Sequence, residues 1–233
     1  MKLPILISVP HAGFEIPPEV ETYNLLTQEE IICDGDEGAS EIYSIESYVR
    51  AYVTTKVARA FVDVNRSVND RGPDGVVKTH TCWDVPIYMG QLPEDLIEVM
   101  IKKYYRPYHE KLTLFSNDVK FGIDCHTMAE IAPHISPDPG QKRPLICLSN
   151  ADGAFPTDWL EAMKDCFQRS FQIEVSLNRP FKGGHIIQTH ASEIPWVQVE
   201  ISRTEHMDNE EKKKKFFDSI EKFYSIIDNH RIE

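Results

Sequence analysis

Short apolar segments, typical of buried strands, alternate with amphipathic segments, typical of helices, along most of the chain. The pattern predicts strands at 5–9, 48–57, 59–64, 119–128, 144–149 and 196–202. It predicts helices at 92–115, 157–170 and 208–227, and the entry into a further strand within 181–188. Such an alternation favours a mixed or parallel sheet covered by helices, an α/β fold. The 233 residues show no repeat and no linker, which predicts a single domain over 1–233.

Composition limits the classes of partner. The formal net charge of -12 repels phosphate backbones, so nucleic acid is not an expected partner. The sequence has no apolar run long enough for a membrane span, and none is expected. The five cysteines form no CxxC pair, which favours a reducing compartment and a cytoplasmic location. The oligomeric state is not encoded in any pattern of this sequence.

Polar clusters follow or end the predicted strands, where open α/β sheets bind ligands. The clusters are Pro10-His11-Ala12-Gly13, Asp34-Gly35-Asp36-Glu37-Gly38, Asp63-Val64-Asn65-Arg66 and Asp124-Cys125-His126-Thr127. His11 and His126 could be two ligands of a metal ion, with a third from Asp34, Asp36 or Glu37. Alternatively, each histidine is a buried structural residue, because the chain contains no HExxH motif.

Glu200 interrupts the otherwise apolar segment 196–201. A carboxylate buried in a strand costs free energy unless it is paired or functional, and burial raises its pKa toward that of a general base. The alternative is an edge strand on which Glu200 shares a solvent-facing side with Gln198.

Three further residues are candidates for substrate binding. Arg66 follows Asn65 after a predicted strand, and a guanidinium beside an amide suits capture of a carboxylate. Arg71 lies in the long polar loop 67–84, and His185 follows a pair of glycines that allow close backbone approach. Alternatively, Arg66 is a surface residue paired with Asp63 or Asp70. Surface or structural positions are predicted for His80, His134, His190, His206 and His230.

Seven short segments, in order from residue 8 to near residue 203, resemble the N-formylglutamate amidohydrolases, a family related to zinc carboxypeptidases and aspartoacylases. The segments are Ser8-Val9-Pro10-His11-Ala12-Gly13, Asp36-Glu37-Gly38-Ala39, Asp63-Val64-Asn65-Arg66, Arg106-Pro107-Tyr108-His109, Asp124-Cys125-His126-Thr127, Asn178-Arg179-Pro180-Phe181-Lys182-Gly183-Gly184 and Gln198-Val199-Glu200-Ile201. The resemblance implies a three-layer α/β/α fold with a central mixed sheet, similar to zinc carboxypeptidases, and one bound Zn²⁺.

The resemblance also implies a role for individual residues. The metal ligands would be His11, Asp36 and His126, with Asp34 as the reserve for the acidic ligand. Glu200 would activate the attacking water.

Asn65 and Arg66 would hold the substrate carboxylate, with Arg71 and His185 as further candidates for substrate binding.

The activity implied is zinc-dependent hydrolysis of N-formylglutamate, a small anionic acyl-amino acid, to glutamate and formate within histidine degradation. Two departures bear on the substrate: Ala12 stands where the family often has serine, and Asp84-Val85 lies where it often has glycine. The alternatives are a related zinc amidohydrolase or carboxypeptidase-like enzyme acting on another acyl-amino acid or a peptidoglycan fragment, and a binding module without catalysis.

Overall fold

A six-stranded sheet forms the centre of the computed structural model, which describes residues 2–133, 136 and 138–229. The strands are β1 Leu3–Val9, β2 Val49–Thr54, β3 Phe121–Met128, β4 Ile146–Ser149, β5 Ser176–Leu177 and β6 Trp196–Ser202. Their order is β2-β1-β3-β6-β4-β5. His134 and His230, two predicted surface or structural positions, lie outside the described residues.

The sheet is mixed. Strands β2, β1, β3 and β6 pair in parallel, whereas β4 runs antiparallel to β6 and parallel to β5. The mixed sheet that the family resemblance implies is therefore confirmed.

Helices cover both faces of this sheet. They are α1 Gln28–Asp34, α2 Ala39–Ile42, α3 Glu94–Met100, α4 Arg106–Ser116, α5 Thr157–Phe171, α6 His185–His190 and α7 Asn209–Asn229. A π-helical segment at Ile101–Tyr105 joins α3 to α4, and a 3₁₀ helix lies at Pro18–Tyr23. Among the described helices, none is both long enough and apolar enough to cross a membrane.

Successive side chains along each strand point to opposite faces of the sheet, so the hydrophobic core has two parts. Ile123 and Cys125 of β3 pack into a cluster with α2, α5 and α7 on one face. Leu6 of β1 packs into a second cluster with α4 and α6 on the other face. The three-layer α/β/α arrangement is therefore confirmed. The side chains of Asp124 and His126 alternate with Ile123 and Cys125, so they lie on the face that α4 and α6 cover.

Two strand predictions are wrong. Segment 59–64 forms turns, with the Phe61 N–H donating to Ala58 O and the Asp63 N–H donating to Val76 O. Its apolar side chains fill the second core cluster, which explains a strand-like composition without strand pairing. Segment 181–188 leads into helix α6, because the Gly184 N–H is bound by the Gln198 side chain and the helix begins at His185.

Candidate active site

The carboxyl ends of the parallel strands β1, β3 and β6 meet at one edge of the sheet. His11 lies just beyond the end of β1, and His126 of β3 is the register partner of Glu200 in β6. These three side chains line a cavity of about 290 Å³. The topology thus gathers residues from distant parts of the sequence into one site.

Asp36 lies between the two histidines. Its Oδ2 atom is 3.6 Å from Nδ1 of His11 and 3.0 Å from Nδ1 of His126. The three potential ligand atoms lie within 4.8 Å of one another, and all three residues are buried. The predicted ligand set His11, Asp36 and His126 is therefore brought together.

Each imidazole also contacts a second carboxylate, through its Nε2 atom. Nε2 of His11 lies 2.8 Å from Asp63 Oδ1, and Nε2 of His126 lies 2.8 Å from Asp124 Oδ2. Because an ionised carboxylate only accepts hydrogen bonds, each Nε2 donates to its carboxylate and each Nδ1 lies on the side of Asp36, to which His126 Nδ1 also donates. Histidines that bind metal usually donate their other ring N–H to such a carboxylate.

The donor set fits a divalent metal ion. Two ligands that are each about 2.1 Å from a tetrahedral ion lie about 3.4 Å apart, and the distances from Asp36 to the two histidines bracket this value. Nδ1 of His11 is buried and has no hydrogen-bond partner among the described residues. A buried nitrogen in this state is costly unless it binds a ligand.

The charges at this cluster favour an anionic Asp36. Burial by itself would raise its pKa, but His11 and His126 outweigh burial and lower that pKa far below its usual value. Burial would also lower the pKa of His126, but Asp124 and Asp36 raise it well above the usual value. A metal ion bound by this cluster would have to displace a proton from His126.

The reserve ligand, Asp34, is committed elsewhere. Its Oδ1 accepts a 2.6 Å hydrogen bond from the Cys82 N–H, and its Oδ2 lies 3.6 Å from both Lys78 Nζ and Arg59 Nε. Among the acidic candidates, the geometry therefore favours Asp36 as the ligand.

Glu200 is buried in an interior strand, so the alternative of a solvent-facing edge strand is wrong. Burial raises the pKa of its carboxyl group to about 7, and the nearby His126 partly opposes this increase. The Gln198 side-chain amide donates a 2.8 Å hydrogen bond to Glu200 Oε1. Glu200 is thus a fixed carboxylate that exchanges a proton near neutral pH.

Asn65 and Arg66 line the same cavity. Asn65 Oδ1 accepts a 2.8 Å hydrogen bond from the Ile186 N–H, and its Nδ2 lies 3.3 Å from His126 Nε2. Arg66 Nη2 donates to Asp74 Oδ2 at 2.6 Å, so its carboxylate partner is Asp74 rather than Asp63 or Asp70.

Arg71 and His185 require a correction, because neither lines the cavity. Arg71 is exposed and pairs with Glu98 on α3 at 2.6 Å, since the polar loop folds back over that helix. The imidazole of His185 lies 3.1 Å from the Tyr105 hydroxyl. The structure does not bring these two side chains to the predicted substrate site.

Comparison with known proteins places this site in a family. The family model for N-formylglutamate amidohydrolase matches residues 3–207. The chain belongs to the N-formylglutamate amidohydrolase family.

Two curated relatives of this family member are each named N-formylglutamate deformylase. The Pseudomonas putida protein is 26% identical over 229 residues, covering 90% of this chain and 84% of the relative. The Pseudomonas aeruginosa protein is 25% identical over 228 residues, with the same coverage of 90% and 84%.

Two solved structures share the fold of this N-formylglutamate amidohydrolase family member. The crystal structure of N-formylglutamate amidohydrolase from Ralstonia eutropha JMP134 matches with a TM-score of 0.79 and 21% identity, covering 99% of this chain and 94% of that one. A gene product of Agrobacterium tumefaciens matches with a TM-score of 0.74 and 17% identity, covering 97% of this chain and 91% of that one.

The sequence alone did not identify several basic residues that line the cavity. Arg59, Arg143, Lys182 and Arg203 line the cavity together with Arg66. Arg59 lies in a segment predicted to be a strand, Lys182 lies in the segment 178–184 that resembles the family, and Arg143 and Arg203 lie in loops without a motif to mark them. Arg59 and Arg203 lie within four residues of Asp63 and Glu200, and no comparable signal marks Arg143.

Proposed function

We propose that this chain is a zinc-dependent amidohydrolase that hydrolyses N-formyl-L-glutamate to L-glutamate and formate. The observation that carries the proposal is the convergence of His11, Asp36 and His126 on one point beside the buried Glu200. The substrate follows from membership of the N-formylglutamate amidohydrolase family and from the names of the two Pseudomonas relatives.

His11, Asp36 and His126 are the residues that would hold the metal, and Asp63 and Asp124 would orient the two imidazoles. Zinc bound there would acidify water and polarise the acyl carbonyl. The buried carboxylates that bind each Nε2 would keep both Nδ1 atoms turned toward Asp36, where a metal ion would be held.

Glu200 is the proposed general base. It accepts a proton from the water whose oxygen bonds to the formyl carbon, and it passes this proton to the amide nitrogen as the carbon–nitrogen bond breaks. The Gln198 amide holds the accepting carboxylate in place throughout.

Arg59 is the protein cation best placed to stabilise the developing oxyanion. Its Nη1 lies 3.6 Å from Asp36 Oδ1, and its guanidinium lines the cavity. Fixed charges in a buried site stabilise a transition state strongly because they need no reorganisation.

The cavity also has the charge that an anionic substrate needs. Its described lining contains five basic residues, counting lysine and arginine, and four acidic ones, although the whole chain carries -12. A divalent ion would add to this positive excess. We assign Asn65 and Arg66 to one substrate carboxylate, with Arg66 shared between that group and the partly exposed Asp74.

The predicted cytoplasmic location and the predicted place in histidine degradation stay predictions.

The test is formate release from N-formyl-L-glutamate by the zinc-loaded full chain, with N-acetylglutamate and N-acetylaspartate as comparators. A chelator should abolish release, and zinc should restore it. Glu200→Gln should lower kcat by at least about 10³-fold while zinc stays bound, because the amide keeps the shape but accepts no proton. Chelator-resistant turnover would exclude the metal, and full activity of Glu200→Gln would exclude its role as base.

A further inference from the structure

The four arginines in the described lining of the cavity differ in their partners. Three of them already contact carboxylates within the protein. The pairs are Arg59 with Asp34 and Asp36, Arg66 with Asp74, and Arg143 with Asp138. Each of these three guanidinium groups therefore shares its charge with a carboxylate of the protein before any substrate binds.

Arg203 is the fourth, and it differs. It follows β6 directly, and its backbone N–H donates to Met128 O at 2.9 Å, which fixes the position of its Cα. Its side chain donates one hydrogen bond, from Nη1 to Gly35 O at 3.0 Å. Among the residues that the structure describes, it has no carboxylate partner, so its charge and its other N–H groups are available to a ligand.

The Arg203 side chain lines the cavity next to the segment that carries Asp36. Gly35 immediately precedes Asp36, and consecutive Cα atoms lie about 3.8 Å apart. Arg203 therefore approaches the proposed metal ligands beside Asp36, whereas Asn65 approaches them beside His126. Two anion-binding groups at separate points around one reacting centre suit a substrate with two carboxylates.

Lys182 also lines the cavity without an ion-pair partner among the described residues, but it is exposed. An exposed ammonium is a strongly hydrated point charge on a flexible chain, whereas a half-buried guanidinium presents a planar fork that binds a carboxylate in a defined orientation. Arg203 is the better candidate for selecting one substrate over another.

We propose that Arg203 binds the side-chain carboxylate of the acyl-amino acid and thereby selects acidic substrates. The inference rests on the proposed function, since it names the substrate class of the same site. Arg203 contacts the substrate away from the scissile amide, so it acts on selectivity for the charged side chain.

A purely structural role would have a different signature. If the only role of Arg203 were to hold Gly35, its loss would displace Asp36 and reduce turnover of every substrate alike. A specificity residue changes the ratio between a charged and an uncharged side chain instead. N-formyl-L-glutamate and N-formyl-L-glutamine form that pair, because they differ in one charge and have nearly the same shape.

The experiment measures kcat/KM for both substrates in the zinc-loaded wild type, Arg203→Met, Arg203→Lys and Arg50→Met. Arg50 is an exposed arginine of β2 that does not line the cavity, so it serves as the control. Arg203→Met should reduce the preference for N-formyl-L-glutamate by about 10- to 100-fold, the usual effect of losing one charged hydrogen bond. Arg203→Lys should restore part of the preference, and Arg50→Met should leave it unchanged.

Calorimetric binding of L-glutamate and L-glutamine to the same proteins separates this proposal from the proposed function. Arg203→Met should weaken glutamate binding selectively, whether or not the wild type releases formate. An equal loss for both ligands and both substrates would assign Arg203 to structure alone, and an unchanged preference would overturn the proposal. A wild type that prefers glutamate but does not hydrolyse N-formyl-L-glutamate would contradict only the proposed function.

Discussion

Glu200 is a carboxylate whose surroundings set its proton affinity close to neutral pH. Burial raises its pKa to about 7, whereas the Gln198 amide, which donates to its ionised form, lowers it. A general base acts only when ionised, so kcat/KM is expected to fall about tenfold per pH unit below the pKa of this group. A metal ion held by His11, Asp36 and His126 would favour the ionised form of Glu200. It would therefore move this acidic limb of the pH profile to below pH 7.

Gln198→Met tests whether the acidic limb of the pH profile reflects the ionisation of Glu200. Removing the amide donor destabilises the ionised form of Glu200 and should move the acidic limb of the pH profile to higher pH. Lys56→Met, which changes an exposed lysine, is the control and should leave the profile unchanged. An acidic limb that stays in place in Gln198→Met would assign it to another group.

Asp124 tests whether a residue outside the proposed ligand set controls how tightly that set binds a metal ion. Its Oδ2 holds His126 Nε2, and its Oδ1 accepts a 2.8 Å hydrogen bond from the Ser8 hydroxyl. Asp124→Asn should weaken zinc binding by about 10- to 100-fold. A carboxylate that accepts a hydrogen bond from a metal-binding histidine raises the basicity of that imidazole and fixes its orientation. Ser8→Ala should have a smaller effect because the carboxylate remains.

Competition with a chelating dye measures these affinities. Asp152→Asn is the control, because Asp152 is exposed in a turn with a positive φ that asparagine also tolerates. Equal zinc affinity in Asp124→Asn and Asp152→Asn would show that the buried carboxylate has no role in holding the metal.

At the scale of elements, the π-helical segment between α3 and α4 holds the loop that carries Asn65. The Tyr105 hydroxyl donates a 3.0 Å hydrogen bond to Arg66 O, and His109 Nε2 lies 2.9 Å from Val64 O. The carbonyls on both sides of Asn65 are therefore fixed from one helix. π-Helical turns occur often at functional sites because they redirect side chains in this way.

Two neighbouring tyrosines provide a matched test of this contact. Tyr105→Phe removes the hydroxyl that binds Arg66 O, whereas Tyr104→Phe removes a hydroxyl that binds Glu19 away from the site. We expect Tyr105→Phe to raise KM several-fold. The loss of this hydrogen bond costs about 1 kcal/mol, so the loop that carries Asn65 would be held less firmly in its binding position. Tyr104→Phe should leave steady-state kinetics unchanged; similar kinetics in both variants would mean that the loop does not need this contact.

The helix at 92–115 was predictable from its apolar spacing, but the π-helical turn within it was not. A π turn changes the backbone register without changing the composition, so no periodicity marks it. Helix α6 was missed for a related reason: it begins where the Gln198 side chain binds the Gly184 N–H, a contact between segments that are distant in sequence.

At the scale of the whole molecule, the family resemblance implied the mixed sheet and the three-layer fold, whereas the mostly apolar segments of β1, β3 and β6 predicted only an α/β sheet covered by helices. His11, Asp36, His126 and Glu200 were also predictable, since each stands in or directly beside a short motif. Their buried partners were not identified as such. Lys78 and Arg59 gain their importance only when the loops fold over the sheet, which no local pattern describes.

Lys78 connects the site to the rest of the fold. Its side chain is fully buried, and its Nζ lies 2.7 Å from Asp74 Oδ1, 3.6 Å from Asp34 Oδ2 and 3.8 Å from Asp63 Oδ2. One buried cation thus faces three carboxylates, including the one that orients His11. Removing it leaves buried negative charge without this partner, which typically costs about 3–5 kcal/mol.

Lys78→Met is therefore expected to lower the thermal midpoint by about 10 °C in a chain of this size. Lys56→Met removes a lysine that is largely exposed and should shift the midpoint by no more than about 1 °C. Adding Asp34→Asn to Lys78→Met should recover part of the loss, because it removes one of the carboxylates left uncompensated. Scanning calorimetry of the metal-free proteins checks all three variants. An unchanged midpoint in Lys78→Met would mean that Arg59 and Arg66 alone balance these carboxylates, and the double variant would then be less stable than Lys78→Met.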